Sequence, residues 1–316
     1  MLHLSAELVA RHLDRRALVD ALARAFREAG TEVPPREHYS FGGRSGERTL
    51  LLMPAWRPDR ALGVKLVTVT AENSRRNLPG VQASYVLFDG QTGTPRAVLD
   101  GTELTRRRTA AASALAASLL APPDASRMLM VGTGALAPHL IDTHALMRPI
   151  REVRIWGRRE ERAATVAAAF AGRGFAVEVT RDLASSANWA DIISCATTAT
   201  EPIILGQWLR AGQHLDLVGS FTPLMREVDD QAMARAEIYV DAREGAFAES
   251  GELVSAFESG AITPGDIRGD LKELVRGDVQ GRRTSRAITL FKSVGTAIED
   301  LAAAELACDR YAATQP

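Results

Sequence analysis

Lysine is the rare cation of this chain: of 38 basic residues only Lys65, Lys272 and Lys292 are lysines, the rest being arginine. Where arginine is the default, an ammonium inside an apolar run points to chemistry a guanidinium does not do. Lysine is compact, and it exchanges its proton readily once burial lowers its pKa. Lys65 lies among Val64, Leu66, Val67 and Val69, so we expect a part-buried ammonium able to give a proton. The bland alternative is an edge lysine whose stem snorkels to water.

The second chemical signal is Gly132-Thr133-Gly134-Ala135-Leu136-Ala137, a G-x-G-x-x-A run directly after the apolar Met128-Leu129-Met130-Val131. Between a strand and a helix, the first glycine allows the tight turn and the second lets backbone approach a pyrophosphate. The small third residue lets helix and strand pack closely. Gly132, Thr133, Gly134, Ala135 and Leu136 are therefore candidate dinucleotide contacts. About twenty residues on, where an NAD site places an acid for the ribose hydroxyls, the chain reads Trp156-Gly157-Arg158-Arg159. With no acid at that strand end, Arg158 and Arg159 can hold a 2′-phosphate, which favours NADP(H) with NAD(H) possible. Alternatively, they solvate the next helix. The histidines carry no i, i+4 metal pair, and we expect no metal.

These residues need elements to hold them. Residues 6–29 carry apolar positions suited to one or two amphipathic helices, and residues 49–53, 62–70, 84–88 and 95–99 read as short strands between turns. They predict a mixed or antiparallel sheet carrying Lys65. Residues 104–120 form an alanine-rich helix ending before Pro122-Pro123. From 128 to 240 strands and helices alternate, predicting a doubly wound parallel sheet of Rossmann type. Residues 289–311 read as one long helix returning to the first domain. The predicted fold class is α/β: a Rossmann domain, residues 122–291, inserted into a mixed α+β domain formed by residues 1–121 and 292–316.

Bulk properties exclude several classes of function. A length of 316 residues suits two domains of roughly 150 each. A net charge of −1 provides no field for nucleic acid or an anionic membrane, so small molecules are the expected partners. No run is long and apolar enough to span a membrane and the N-terminus has no basic-then-apolar leader, so we expect a cytoplasmic protein. Cys195 and Cys308 show no metal or redox spacing and are expected to be reduced.

Several blocks occur in order: Leu52-Met53-Pro54-Ala55-Trp56, Gly63-Val64-Lys65-Leu66-Val67, Leu104 to Ala111, Thr200-Glu201-Pro202-Ile203, Met225-Arg226-Glu227-Val228-Asp229 and Phe291-Lys292-Ser293-Val294-Gly295. Together with the glycine motif they resemble the ornithine cyclodeaminase / mu-crystallin family over nearly the whole chain. Leu136 departs from the glutamine usual there. The resemblance implies a nicotinamide cofactor facing a small α-imino or α-amino acid, and a homodimer built by the sheet domain. It further implies that Arg36 and Arg108 clamp the substrate carboxylate, with Arg44 and Arg48 as nearby alternatives to Arg36. Lys65 would protonate or polarise the imine, and Asp300 would orient these cations or form a helix-surface salt bridge. Thr197, Thr198, Gly219, Ser220, Val294 and Gly295 would complete the cofactor site.

One departure bears on the reaction. Cyclodeaminases of the family use an aspartate after a Gly-Gly pair at a Rossmann strand end, whereas here Val218-Gly219-Ser220-Phe221-Thr222-Pro223 puts Phe221 at that position. A phenyl ring cannot accept a proton. Reduction of a preformed imine does not need that base. The expected function is thus NAD(P)H-dependent reduction of a cyclic ketimine acid, Δ1-pyrroline-2-carboxylate or Δ1-piperideine-2-carboxylate, to proline or pipecolate. Ornithine cyclodeaminase and alanine dehydrogenase are the alternatives within the family, and a mu-crystallin-like binding protein with little turnover is the alternative from another class.

Overall fold

Strands Thr49–Arg57, Ala61–Val69 and Val81–Asp89 form the centre of a six-stranded sheet. Its order is Leu2–Leu4, Pro95–Asp100, Val81–Asp89, Ala61–Val69, Thr49–Arg57, Glu37–Ser40. Only the Leu2–Leu4 pairing is parallel. The structure is a computed structural model describing residues 1–42, 48–76 and 78–315; Arg44 lies outside the described residues. Side chains alternate across the sheet, as the two-residue period requires. Met53, Ala55, Ala61, Val67, Tyr85, Leu87, Ala97 and Leu99 are buried on one face, while Leu52, Pro54, Trp56, Leu62, Val64 and Leu66 on the other keep partial or full exposure.

The buried face is covered by helix Ala297–Ala313, which packs across the three long strands, with Arg15–Arg27 packed on that helix in turn. The opening segment forms two helices because Asp14 starts a second one: its carboxylate accepts from Ala17 N at 2.9 Å.

The second sheet has eight strands, all parallel, in the order Ile267–Asp270, Glu237–Val240, Thr289–Lys292, His214–Leu217, Ile192–Cys195, Arg127–Val131, Glu152–Trp156, Ala176–Val179. Its central strands are buried along their whole length, as expected of a parallel sheet covered on both faces. The chain starts at Arg127–Val131, moves outward to one side, then returns to Ile192–Cys195 beside its start. The strand order therefore reverses between these two strands, the position where doubly wound sheets bind ligands beyond the strand C-termini. The α/β class with a Rossmann-type parallel sheet and a mixed second sheet is as read from the sequence.

One reading needs correction. The expected helix 289–311 is a buried strand, Thr289–Lys292, followed by a turn and the helix Ala297–Ala313. The turn is forced by Gly295 at φ +84° and by Asp241, whose Oδ2 accepts from the amides of Val294 and Gly295 at 2.8 and 2.6 Å. A short apolar run buried on all sides has no period to tell strand from helix. By contacts the chain forms two compact units, Met1–Thr109 with Thr296–Pro316, and Ala110–Gly295. The first division falls inside helix Gly101–Leu120, where Ala110, Ala117 and Ala121 belong to the core around Met128, Met130 and Ile155. Among the described residues no helix is long and apolar enough to cross a membrane.

Candidate active site

The chemistry-bearing residues of the first unit converge under its C-terminal helix. Lys65 is in mid-strand with its side chain on the buried face, directly across from Met53 on one neighbour and Tyr85 on the other. It is 2% exposed, which excludes the snorkelling alternative. Its Nζ lies 2.8 Å from Asp300 Oδ2. Arg108 Nε donates to Asp300 Oδ1 at 2.9 Å, and Arg108 Nη1 donates to Glu299 Oε2 at 2.6 Å. Both acids are fully buried, so Asp300 is no surface salt-bridge partner but a bridge between two buried cations.

Burial first, and then the charge of Arg108, lower the Lys65 pKa from 10.5 to about 8, with Asp300 opposing both. Arg36 also contributes to the lowering, which places it in the electrostatic reach of Lys65. The result is an ammonium charged at neutral pH yet poised to release its proton.

Tyr85, fully buried, adds a phenol with no hydrogen-bond partner among the described residues. Burial and then the Asp300 charge push it well above the usual phenol range. Gly63 is glycine because a Cβ there would sit 1.9 Å from the Tyr85 hydroxyl. Glu299 and Tyr85 escaped the sequence reading. The signal for Glu299 was its place beside Asp300 in the same helical turn; Tyr85 offered none without the strand register.

In the second unit, Gly132 follows Arg127–Val131 at φ +117°, and a Cβ there would lie 2.5 Å from Ala196 O. Only glycine fits that closure between the two strand ends. A Cβ at Gly134 would meet nothing within 4 Å, and Gly134 and Ala135 are exposed. The following helix, Ala137–Met147, has Leu136 at its N-cap with no side-chain cap, so its first-turn amides are not consumed by a capping residue. A pyrophosphate fits this open, amide-lined turn. Gly157 packs on the same turn, since a Cβ there would come 2.6 Å from Thr133 Cγ2. Arg158 and Arg159, next in sequence, are exposed.

The other residues expected to touch cofactor divide differently. Thr198 is exposed and Thr197 partly so, but the amides of Thr197 and Gly219 donate to Glu227, at 2.7 and 2.8 Å. Those of Val294 and Gly295 donate to Asp241. Ser220 is fully buried, its hydroxyl donating to Met225 O at 2.8 Å and accepting from Gly251 N at 3.2 Å. These groups shape the strand ends; their hydrogen bonds are already used within the protein. Phe221 is partly buried in the same loop.

Residues 1–315 match the sequence profile of the ornithine cyclodeaminase/mu-crystallin family. The chain is 44% identical over 286 residues to Protein SAR DEFICIENT 4 of Arabidopsis thaliana, covering 88% of this chain and 87% of that one. It is 40% identical over 254 residues to a delta(1)-pyrroline-2-carboxylate reductase of Paracoccus denitrificans, covering 80% of each. The solved delta(1)-pyrroline-2-carboxylate reductase of Thermococcus litoralis, in complex with NADH and L-proline, superposes with a TM-score of 0.95 at 33% identity, covering 99% of this chain and 98% of that one.

Proposed function

The chain belongs to the ornithine cyclodeaminase/mu-crystallin family, and we propose that it is an NAD(P)H-dependent reductase of cyclic ketimine acids, forming proline or pipecolate from Δ1-pyrroline-2-carboxylate or Δ1-piperideine-2-carboxylate. The observation that carries this reading is the buried Lys65–Asp300–Arg108–Glu299 cluster. A substrate with a carboxylate beside C=N needs a cation for the carboxylate and a proton for the nitrogen. Arg108, its guanidinium plane fixed by two carboxylates, supplies the first together with Arg36. Lys65, charged below about pH 8, supplies the second. Asp300, paired with both, holds the two cations side by side. Reduced nicotinamide, when bound, supplies the hydride. The relatives whose names specify pyrroline-2-carboxylate reduction agree with this assignment. Purified protein given reduced cofactor and either cyclic imino acid should form the corresponding amino acid; no cofactor consumption with either overturns the reading.

The finer assignment is NADP(H) over NAD(H). Arg158 and Arg159 are exposed beside the glycine turn, with no ion pair between either and an acid of the described residues, which suits a 2′-phosphate. Replacing both by alanine should weaken NADPH binding about ten-fold or more, the loss of one or two charged hydrogen bonds, with NADH little changed. Equal loss for both cofactors would remove the assignment. We also infer a homodimer through the first unit, since the outward sheet face presents Leu62, Val64 and Leu66, an apolar stripe of the kind that marks association surfaces.

A further inference from the structure

We propose that Glu227 is a positioning residue that sets the backbone of the two cofactor-side loops, residues 196–199 and 218–221; this rests on the reductase reading for its consequence but on this unit's own geometry for its substance. Glu227 is fully buried. Its Oε1 accepts from Thr197 N at 2.7 Å and from Thr197 Oγ1 at 2.9 Å, and its Oε2 accepts from Gly219 N at 2.8 Å. One carboxylate thereby ties together the segments leaving the adjacent strands Ile192–Cys195 and His214–Leu217.

The approach is close enough to dictate sequence. A Cβ at Gly219 would lie 2.4 Å from Glu227 Oε1 and 2.2 Å from Thr197 O. The Glu227 backbone is held as well: its N donates to Glu252 Oε1 at 2.7 Å, and Glu252 Oε2 lies 3.4 Å from Lys292 Nζ. Lys292 is the second lysine set in an apolar strand, fully buried like its partner. Ser250 Oγ also donates to Glu252.

Burying two carboxylates against one ammonium is a poor way to gain stability, because desolvation consumes most of the Coulombic gain. It is an effective way to fix geometry. The tied segments end in Thr198, which is exposed, and Phe221, which is partly so, and both lie at the strand C-termini where a doubly wound sheet receives its ligand. The amide donors there are aimed inward at Glu227, so what the loops present outward is decided by this residue.

Protonation gives an internal control. Burial pushes Glu227 up to about 7, with Lys292 opposing and Glu252 reinforcing the shift. The other titratable group within its electrostatic reach is Cys195, whose thiol burial holds neutral. The three donors need the carboxylate, so the loops should be held above about pH 7 and loosened below it.

The test uses full-length Glu227→Gln and Glu227→Asp without added dinucleotide. Amide exchange should accelerate in peptides spanning 196–199 and 218–221 and stay unchanged in the outer strands. NADH affinity should fall about ten-fold, the equivalent of one charged hydrogen bond. The acid limb of the wild-type kcat/KM profile near pH 7 should vanish in Glu227→Gln. Glu227→Asp keeps the charge but cannot span both loops, and it should resemble Gln. Unchanged loop exchange, NADH affinity and acid limb would overturn the proposal even if the melting temperature drops. If Glu227→Gln does not fold, wild-type protection factors decide: constant protection of both loops through pH 7 overturns it. A wild type that binds neither NADH nor NADPH and reduces no imine with either would sink the reductase reading, while the exchange result would still decide the positioning role.

Discussion

Lys65→Met should slow cyclic-imine reduction by about 10²–10⁴-fold, the usual worth of a positioned general acid, while the protein folds and binds reduced cofactor much as the wild type does. Methionine fills most of the lysine volume but carries no exchangeable proton. Stability should change little because two terms oppose. A native pKa lowered from 10.5 to about 8 makes the charged lysine a cost of roughly 3 kcal/mol, fully present below about pH 8 and gone above 10.5. Removing it relieves that cost, which is already net of the attraction to Asp300, and the imperfect repacking of methionine in the lysine's place offsets part of the gain. The wild-type kcat/KM should fall as pH rises through about 8, since the ammonium is the competent form. Steady-state rates across pH with thermal melts check both parts. A variant with wild-type rates and the same alkaline limb would leave Lys65 without a chemical role.

Arg108→Met should damage both folding and binding. Arg108 is the shared partner of Glu299 and Asp300, both fully buried, and losing one member of a buried ion cluster costs about 3–5 kcal/mol. That corresponds to a melting temperature lower by roughly 10 °C or more. Lys65 cannot neutralise both acids. The substrate carboxylate loses its oriented guanidinium as well, so KM for the imino acid should rise by about 10²-fold, as expected when 2–3 kcal/mol of charge-assisted hydrogen bonding is removed. Arg108→Lys should recover part of the stability and little of the binding, since an ammonium cannot make the bidentate contact. Differential scanning calorimetry beside saturation kinetics separates the two losses; an unaltered melting temperature would contradict the buried-cluster account.

Much of this is legible in the sequence. The glycine turn, the missing acid before Arg158 and the rare lysine in an apolar run each reflect a local physical demand, and local demands are written in neighbouring residues. Lys65 illustrates the rule and Lys292 its limit. The same rarity marked both, but the buried run 289–292 has no period, so Lys292 was placed on a helix and its pairing with Glu252 was invisible. Glu227 was hidden for another reason: two of its three donors, from Thr197 and Gly219, are backbone amides, which no side-chain pattern encodes. Ser220 shows another limit: its position suggests ligand contact, and that its hydroxyl also closes a loop is visible only in the fold.

The central claim, that this site reduces a preformed cyclic imine and does not cyclise a diamino acid, is tested most directly by isotope transfer. The protein should be incubated with Δ1-pyrroline-2-carboxylate and reduced cofactor carrying deuterium at the transferable position, and in parallel with ornithine and oxidised cofactor. The account predicts proline labelled at its α-carbon, one cofactor oxidised per proline formed, and little or no ammonia from ornithine. Ammonia released from ornithine with no net change in cofactor, together with no label in proline from the imine, would contradict it and show that a base other than the residue at Phe221 drives cyclisation.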